Sequence, residues 1–120
     1  MTRNEQEKLN QMRPLEDIRV LDFSTLLPGP FASLMLAEAG AQVVKIERPG
    51  RGDEMRSYVP KFGEDSVNFA LLNAGKQSIA IDLKARNAVE RLCPLIAEAD
   101  IVIEQAKFDL GKMSWIGKAS

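Results

Sequence analysis

The apolar positions of this chain fall into short, near-continuous runs separated by turns. Residues 18–23, IRVLDF, predict a strand rich in branched and aromatic side chains. Residues 24–30, STLLPGP, predict a turn, and residues 31–39 a helix with Phe31, Leu34 and Met35 at i, i+3 and i+4. Gly40 stands where a helix C-cap belongs. A second apolar strand at 43–46 runs into Glu47, Arg48, Pro49 and a Gly50-Arg51-Gly52 loop. After a long irregular stretch, residues 78–83, SIAIDL, predict a third strand. Residues 86–98 carry Val89, Leu92, Cys93, Ile96 and Ala97 on one helical stripe, which would make Cys93 a small buried hydrophobe. An interior proline costs a helix roughly 3 kcal/mol, so a kink or a fresh start is expected at Pro94. Residues 101–103 predict a fourth strand.

Runs of apolar strand alternating with helix point to an α/β fold with a parallel sheet covered by helices. Residues 1–13 hold too few large apolar side chains to bury a helix face and read as a flexible polar arm. Residues 14–105 form the body, and 106–120 a tail without clear period whose Trp115 and Ile116 lack an obvious place to pack.

Composition narrows the chemistry. The 120 residues carry a formal net charge of -1, which creates no field to gather a phosphodiester backbone, so nucleic acid is not expected as a partner. There is no histidine and a single cysteine, Cys93. Metal sites of the Cys/His kind and histidine-based nucleophile systems are therefore not expected within these residues. Residues 1–13 include Glu5 and Glu7 and lack a signal-like apolar stretch, and no run approaches the ~18 apolar residues of a membrane span. These features predict a cytoplasmic protein without membrane contact.

A parallel sheet binds ligands beyond the carboxyl ends of its strands, which directs attention to residues 24–29, 47–53, 82–84 and 104–106. The Leu27-Pro28-Gly29-Pro30 turn leads into a helix start that is either a rigid turn or an anion receptor. The glycine fingerprint of dinucleotide-binding proteins is absent, which disfavours a nucleotide-dependent oxidoreductase. A phosphate-binding P-loop also fails, because Gln77 follows Gly75-Lys76 and Ala70 replaces the first glycine. Arg48, just past a strand, is the strongest single candidate, since a guanidinium both pairs with phosphate and lies against a purine. Lys84 occupies the equivalent place after the third strand, and together they suggest an anionic ligand. Arg51-Gly52-Asp53 has no secretory context to make it an adhesion motif.

The ordered string IRVLDFS, PGPFASLMLAEAGAQVVKIERPGRGDEMR, NAGKQSIAIDLK and EADIVIEQ, over residues 14–105, resembles the opening of family III coenzyme A transferases, the CaiB/BaiF type. The resemblance implies a Rossmann-like large domain, of which this would be the incomplete amino-terminal portion, and an interlocked homodimer. It implies acyl-CoA and a carboxylic acid as substrates, with coenzyme A along an edge formed by Leu27, Pro28, Arg48, Ile81, Asp82, Leu83 and Lys84. The family's transferases use an Asp nucleophile that lies beyond the matched stretch in full-length relatives. The resemblance therefore implies no catalytic residue here, and neither Asp82 nor Asp100 takes that role. A racemase-type member of the same family is an alternative; that branch uses a His and an Asp around the α-carbon, and these residues include no His. After residue 105 the sequence departs from the family's usual turn, as a truncated reading frame, a frameshift or a shortened chain would produce. A non-catalytic binding or scaffold module that pairs with another chain, or self-associates, is the reading from a different class.

Overall fold

The computed structural model describes residues 1–11 and 13–104; the 106–120 tail with Trp115 and Ile116 lies outside them. The first element is a helix, α1 (Arg3–Gln11), where a flexible arm was expected. Its origin is local. Thr2 and Glu5 form a reciprocal capping box, with the Glu5 N–H donating to Thr2 Oγ1 at 3.2 Å and the Thr2 N–H donating to Glu5 Oε2 at 3.0 Å. An Arg3–Glu7 pair one turn apart adds support, so this helix needs no buried face to be written into the sequence.

The body alternates strand and helix: β1 (Arg19–Asp22), α2 (Gly29–Glu38), β2 (Gln42–Glu47), a 3-10 turn (Glu54–Ser57), β3 (Lys61–Phe62), β4 (Asp65–Ser66), α3 (Val67–Leu72), β5 (Gln77–Ala80), α4 (Ala88–Glu98) and β6 (Ile101–Ile103). Four strands form one sheet in the order β5-β2-β1-β6, all parallel, and β3 and β4 make a separate small hairpin. The fold is thus α/β with a parallel sheet, as the pattern of runs predicts.

Helix α2 ends where the sequence places its cap. Gly40 adopts φ +109°, and a side chain there would also meet Arg13 Cβ at 2.3 Å, so both backbone and space require glycine. Of the kink or fresh start expected at Pro94, the fresh start does not occur: helix α4 runs through Pro94 as one element. Packing of Leu92, Leu95 and Ile96 against the sheet holds the helix together across the lost hydrogen bond. Its buried face is Ala88, Leu92, Leu95, Ile96 and Ala99, one position round from the predicted stripe, and Cys93 is exposed rather than buried. Both stripes have helical spacing, and only the position of the sheet chooses between them.

Successive strand residues face opposite sides of the sheet. Leu21, Phe23, Ile46 and Ile81 pack with Leu92 on the α4 side, whereas Val20, Ala41 and Val43 pack with Leu36 and Ala37 on the α2 side. The third strand stops at Ala80, three residues before its predicted end, although the Ile81 N–H still donates to the Glu47 carbonyl at 2.9 Å. The stretch read as irregular holds the hairpin, α3 and the 3-10 turn. Short capped elements such as these carry no long hydrophobic period: Asp53 accepts from the Met55 N–H, and Ser66 from the Phe69 N–H.

Candidate functional site

The strand order reverses beside β1: β1, β2 and β5 proceed one way, and β6 returns on β1's other side. Ligands of open α/β sheets bind at such a reversal, beyond the carboxyl ends of the strands. The 24–30 turn leaves β1 at this place. Leu26 within it has φ +59°, a conformation that a branched side chain adopts only under constraint, and the Leu27–Pro28 peptide is cis.

The constraint is a buried polar network. Asp22 is 0% exposed; its Oδ1 accepts the Ser24 N–H at 2.7 Å and the Ser24 hydroxyl, and its Oδ2 accepts the Ser33 hydroxyl from α2. Lys76, from the loop before β5, lies 3.4 Å from Asp22 Oδ2 and donates to the Pro30 carbonyl at 2.9 Å and to Asn73 Oδ1 at 2.8 Å. Burial lowers the Lys76 ammonium below its ordinary value, and the Asp22 charge offsets part of that. On β2, Lys45 is 1% exposed and donates to the Ser24 carbonyl at 2.8 Å. Its ammonium also lies 2.8 Å from Asp53 Oδ2, a charge contact rather than an aligned hydrogen bond. Asp53 therefore belongs to the interior, so the Arg51-Gly52-Asp53 sequence is no displayed adhesion loop.

Two residues on, Glu47 receives a two-pronged contact from Arg56, with Nε to Oε1 and Nη2 to Oε2 both at 2.7 Å. The Asp53 N–H and the Ser78 hydroxyl donate to it as well. Burial alone would raise the Glu47 carboxyl, but these donors, Arg56 first, outweigh it and hold the group at about 2, below its ordinary 4.5. The same contact raises the Arg56 guanidinium, which lies 4.0 Å over the Phe69 ring. Gly52, at φ +70°, sits where a side chain would meet Glu47 Oε1 at 2.8 Å.

The loops after β1 and β2 are thus set from within by charges that the strand pattern made easy to miss. Asp22, which alternates with apolar neighbours, is placed to accept a backbone hydrogen bond and does so from Ser24; Lys45 lies inside a run read as apolar, and the signal that could have found it is a charged residue in a strand covered on both faces.

The sequence pattern of CoA-transferase family III matches residues 15–116. The chain belongs to that family. It is 38% identical over 113 residues to succinyl-CoA:glutarate CoA-transferase from Homo sapiens, covering 93% of this chain and 25% of that protein. It is 44% identical over 92 residues to formyl-CoA:oxalate CoA-transferase from Escherichia coli, covering 76% of this chain and 22% of that protein. Among solved structures it is similar to a CaiB/BaiF family protein from Brucella suis, with TM-score 0.76 and 34% identity over 89% of this chain and 29% of that one. The chain spans about a quarter of the length of the curated relatives it matches, their amino-terminal part. The family match continues past residue 105, where the resemblance was expected to stop.

Within this family III chain the predicted ligand residues have unequal surroundings. Leu27 and Pro28 are exposed at the turn. Arg48 is exposed, and its Nε donates to the Gly52 carbonyl at 2.8 Å, which fixes the guanidinium relative to its own loop. The β2–β5 register pairs Glu47 with Ala80, so Arg48 and Ile81 leave the sheet side by side. The Ile81 side chain is buried in the α4-side core, and the half-buried Leu83 packs against it. Asp82 is exposed and its Oδ1 accepts the Lys84 N–H at 3.0 Å, a local turn that leaves the Lys84 ammonium in solvent. A cavity of about 300 Å³ lined by Arg19, Gln42, Gln77 and Glu98 lies at the opposite, amino-terminal ends of the strands. Arg19 there is already paired with Glu98 at 2.7 Å, and the cavity is remote from the loops. Among the described residues no group of three His, Cys, Asp or Glu side chains is placed to hold a metal, and no described helix is long and apolar enough to cross a membrane.

Proposed function

We propose that this chain supplies part of the coenzyme A surface of an enzyme that moves coenzyme A between an acyl-CoA and a free carboxylic acid, and that it does not contain the attacking carboxylate. The observation that carries the reading is the convergence, in a family III chain, of the loops after β1, β2 and β5 on one sheet edge bearing Arg48 and Lys84. Coenzyme A would lie along Leu27, Pro28, Arg48 and the 81–84 backbone, its phosphates towards the two cations. The names of the relatives pair a thioester with glutarate or oxalate, which supports a small carboxylic acid as acceptor.

The candidate carboxylates near this edge are committed elsewhere. Asp22 is sealed and filled by three donors and an ammonium. Asp82 caps its own turn. Acyl transfer requires a carboxylate free to attack, so the isolated chain should bind coenzyme A without turning it over.

Titration calorimetry with coenzyme A tests the site. A partly shielded charge-assisted phosphate contact is worth roughly 1.5 to 3 kcal/mol, so Arg48→Glu should weaken binding by about tenfold or more. Equal affinity of the variant and the unaltered chain would overturn the assignment.

One observation favours a second reading, a surface that pairs with another protein chain. Phe31 and Met35, spaced by four, stand exposed on α2 with Leu27 exposed in the turn before it, and the outer strand β6 exposes Ile101 and Val102. Concentration-dependent association of the isolated chain would support it, and a monomer at all concentrations would count against it.

A further inference from the structure

We propose that Lys45 is the positioning residue of the coenzyme A edge: its buried ammonium ties the 24–30 turn to the 50–53 loop and so sets the turn relative to Arg48. The inference rests on the coenzyme A reading above and adds to it a residue that touches no ligand.

The connection can be followed atom by atom. Arg48 Nε donates to the Gly52 carbonyl at 2.8 Å, so the guanidinium is oriented by its loop rather than by the sheet. The next residue, Asp53, faces inward with Oδ2 at 2.8 Å from Lys45 Nζ. The same nitrogen donates to the Ser24 carbonyl at 2.8 Å, at the root of the turn that carries Leu27 and Pro28. One ammonium therefore contacts the loops on both sides of the proposed ligand. Each loop also has its own anchor: Glu47 accepts the Asp53 N–H, and Asp22 accepts the Ser24 N–H. Lys45 is the link between them. The far end of the turn is held separately by Lys76 on the Pro30 carbonyl.

A lysine 1% exposed in the middle of a strand is a costly choice if shape alone were needed, because a buried ion pair is often replaced by apolar groups without loss of stability. What an apolar side chain would not supply is a directed contact to two loops. A ligand that touches Arg48 at one end and the turn at the other would read a loss of that contact as a loss of preorganisation.

The test uses the full chain and coenzyme A as probe. In Lys45→Met/Asp53→Asn both charges go together and volume is kept, so the melting temperature should stay close to that of the unaltered chain while affinity falls by about tenfold or more. Adding Arg48→Ala should then cost little, whereas the same substitution in the unaltered chain costs about tenfold. A folded pair variant with unchanged affinity and a full Arg48 penalty overturns the proposal. If the pair variant does not fold, Asp53→Asn alone cuts the tie on one side; the same loss is expected, and unchanged binding overturns it. Amide exchange separates this idea from the reading it rests on. Residues 24–27 and 50–53 should both exchange about tenfold faster in whichever variant folds. If that happens and the unaltered chain ignores coenzyme A, the tie stands and the coenzyme A reading falls. Unchanged exchange in either loop overturns the tie.

Discussion

The two sides of the central sheet are built differently. On the α4 side, the residues turned outward from β1, β2 and β5 open with polar Arg19, Gln42 and Gln77 at the amino ends and are apolar from there on: Leu21, Phe23, Val44, Ile46, Ile79 and Ile81. On the α2 side the same strands begin apolar, with Val20 and Val43, and become charged towards their carboxyl ends, with Asp22, Lys45 and Glu47. The apolar side needs only to exclude water, and any well-packed set of side chains achieves that. The charged side demands particular partners at particular distances, because an unpaired buried charge is expensive. Its polar groups gather where the loops converge, so the α4 side supports the fold and the α2 side arranges its edge.

The largest effect should come from unbalancing the charged side. Asp22→Ala removes the acceptor of Ser24 and Ser33 and leaves the Lys76 ammonium without its carboxylate, at an expected loss of about 3 to 5 kcal/mol in denaturant titration. A loss under about 1 kcal/mol would mean that water reaches Lys76 and that the two sides do not differ in kind. Next, Leu92→Ala on the apolar side, at a residue 0% exposed, should cost about 3 kcal/mol in the same titration. Its loss should be independent of pH, in contrast to the charged side.

A smaller effect separates the two sides by acid. The Glu47 carboxyl is about 2 when folded and 4.5 ordinarily, so its stabilisation is fully present above pH 4.5 and is lost as pH falls from there towards 2. Allowing for the half-exposed Arg56, the change should be about 2 kcal/mol. Stability of Glu47→Gln should show a shallower fall over that window; an unchanged slope would assign the acid sensitivity to other groups. The smallest effect belongs to the outer face of α2. Phe31→Ser, at a residue 52% exposed, should alter stability by no more than about 0.5 kcal/mol yet reduce any self-association seen in sedimentation. A marked loss of stability would place Phe31 in the core.

Local features of the sequence were legible to different depths. The first, second and fourth strands of the α/β pattern and the Gly40 cap stand where the sequence puts them. Arg48 follows β2 as expected, because a strand's end and its next residue are adjacent in sequence. The face of α4 was misjudged by one position, since Cys93 and Leu95 satisfy the helical period equally well. In the 81–84 stretch only Ile81 has its side chain in the core and Leu83 is half-buried against it, while Asp82 and Lys84 stay outside, a division that the sequence pattern alone did not separate.

By itself the sequence determined the α/β class, the order of the runs and the family, because these depend on periodicity and on residues close together in the chain. The tertiary structure decided which charges meet. Asp22 and Lys76 are separated by the whole of α2, β2 and α3, and Ser78 reaches Glu47 from a neighbouring strand. Pairing of this kind is set by strand order and register, and a charge inside an apolar run gives no local sign of its partner; its low exposure and its contacts exist only once the sheet has brought distant loops together.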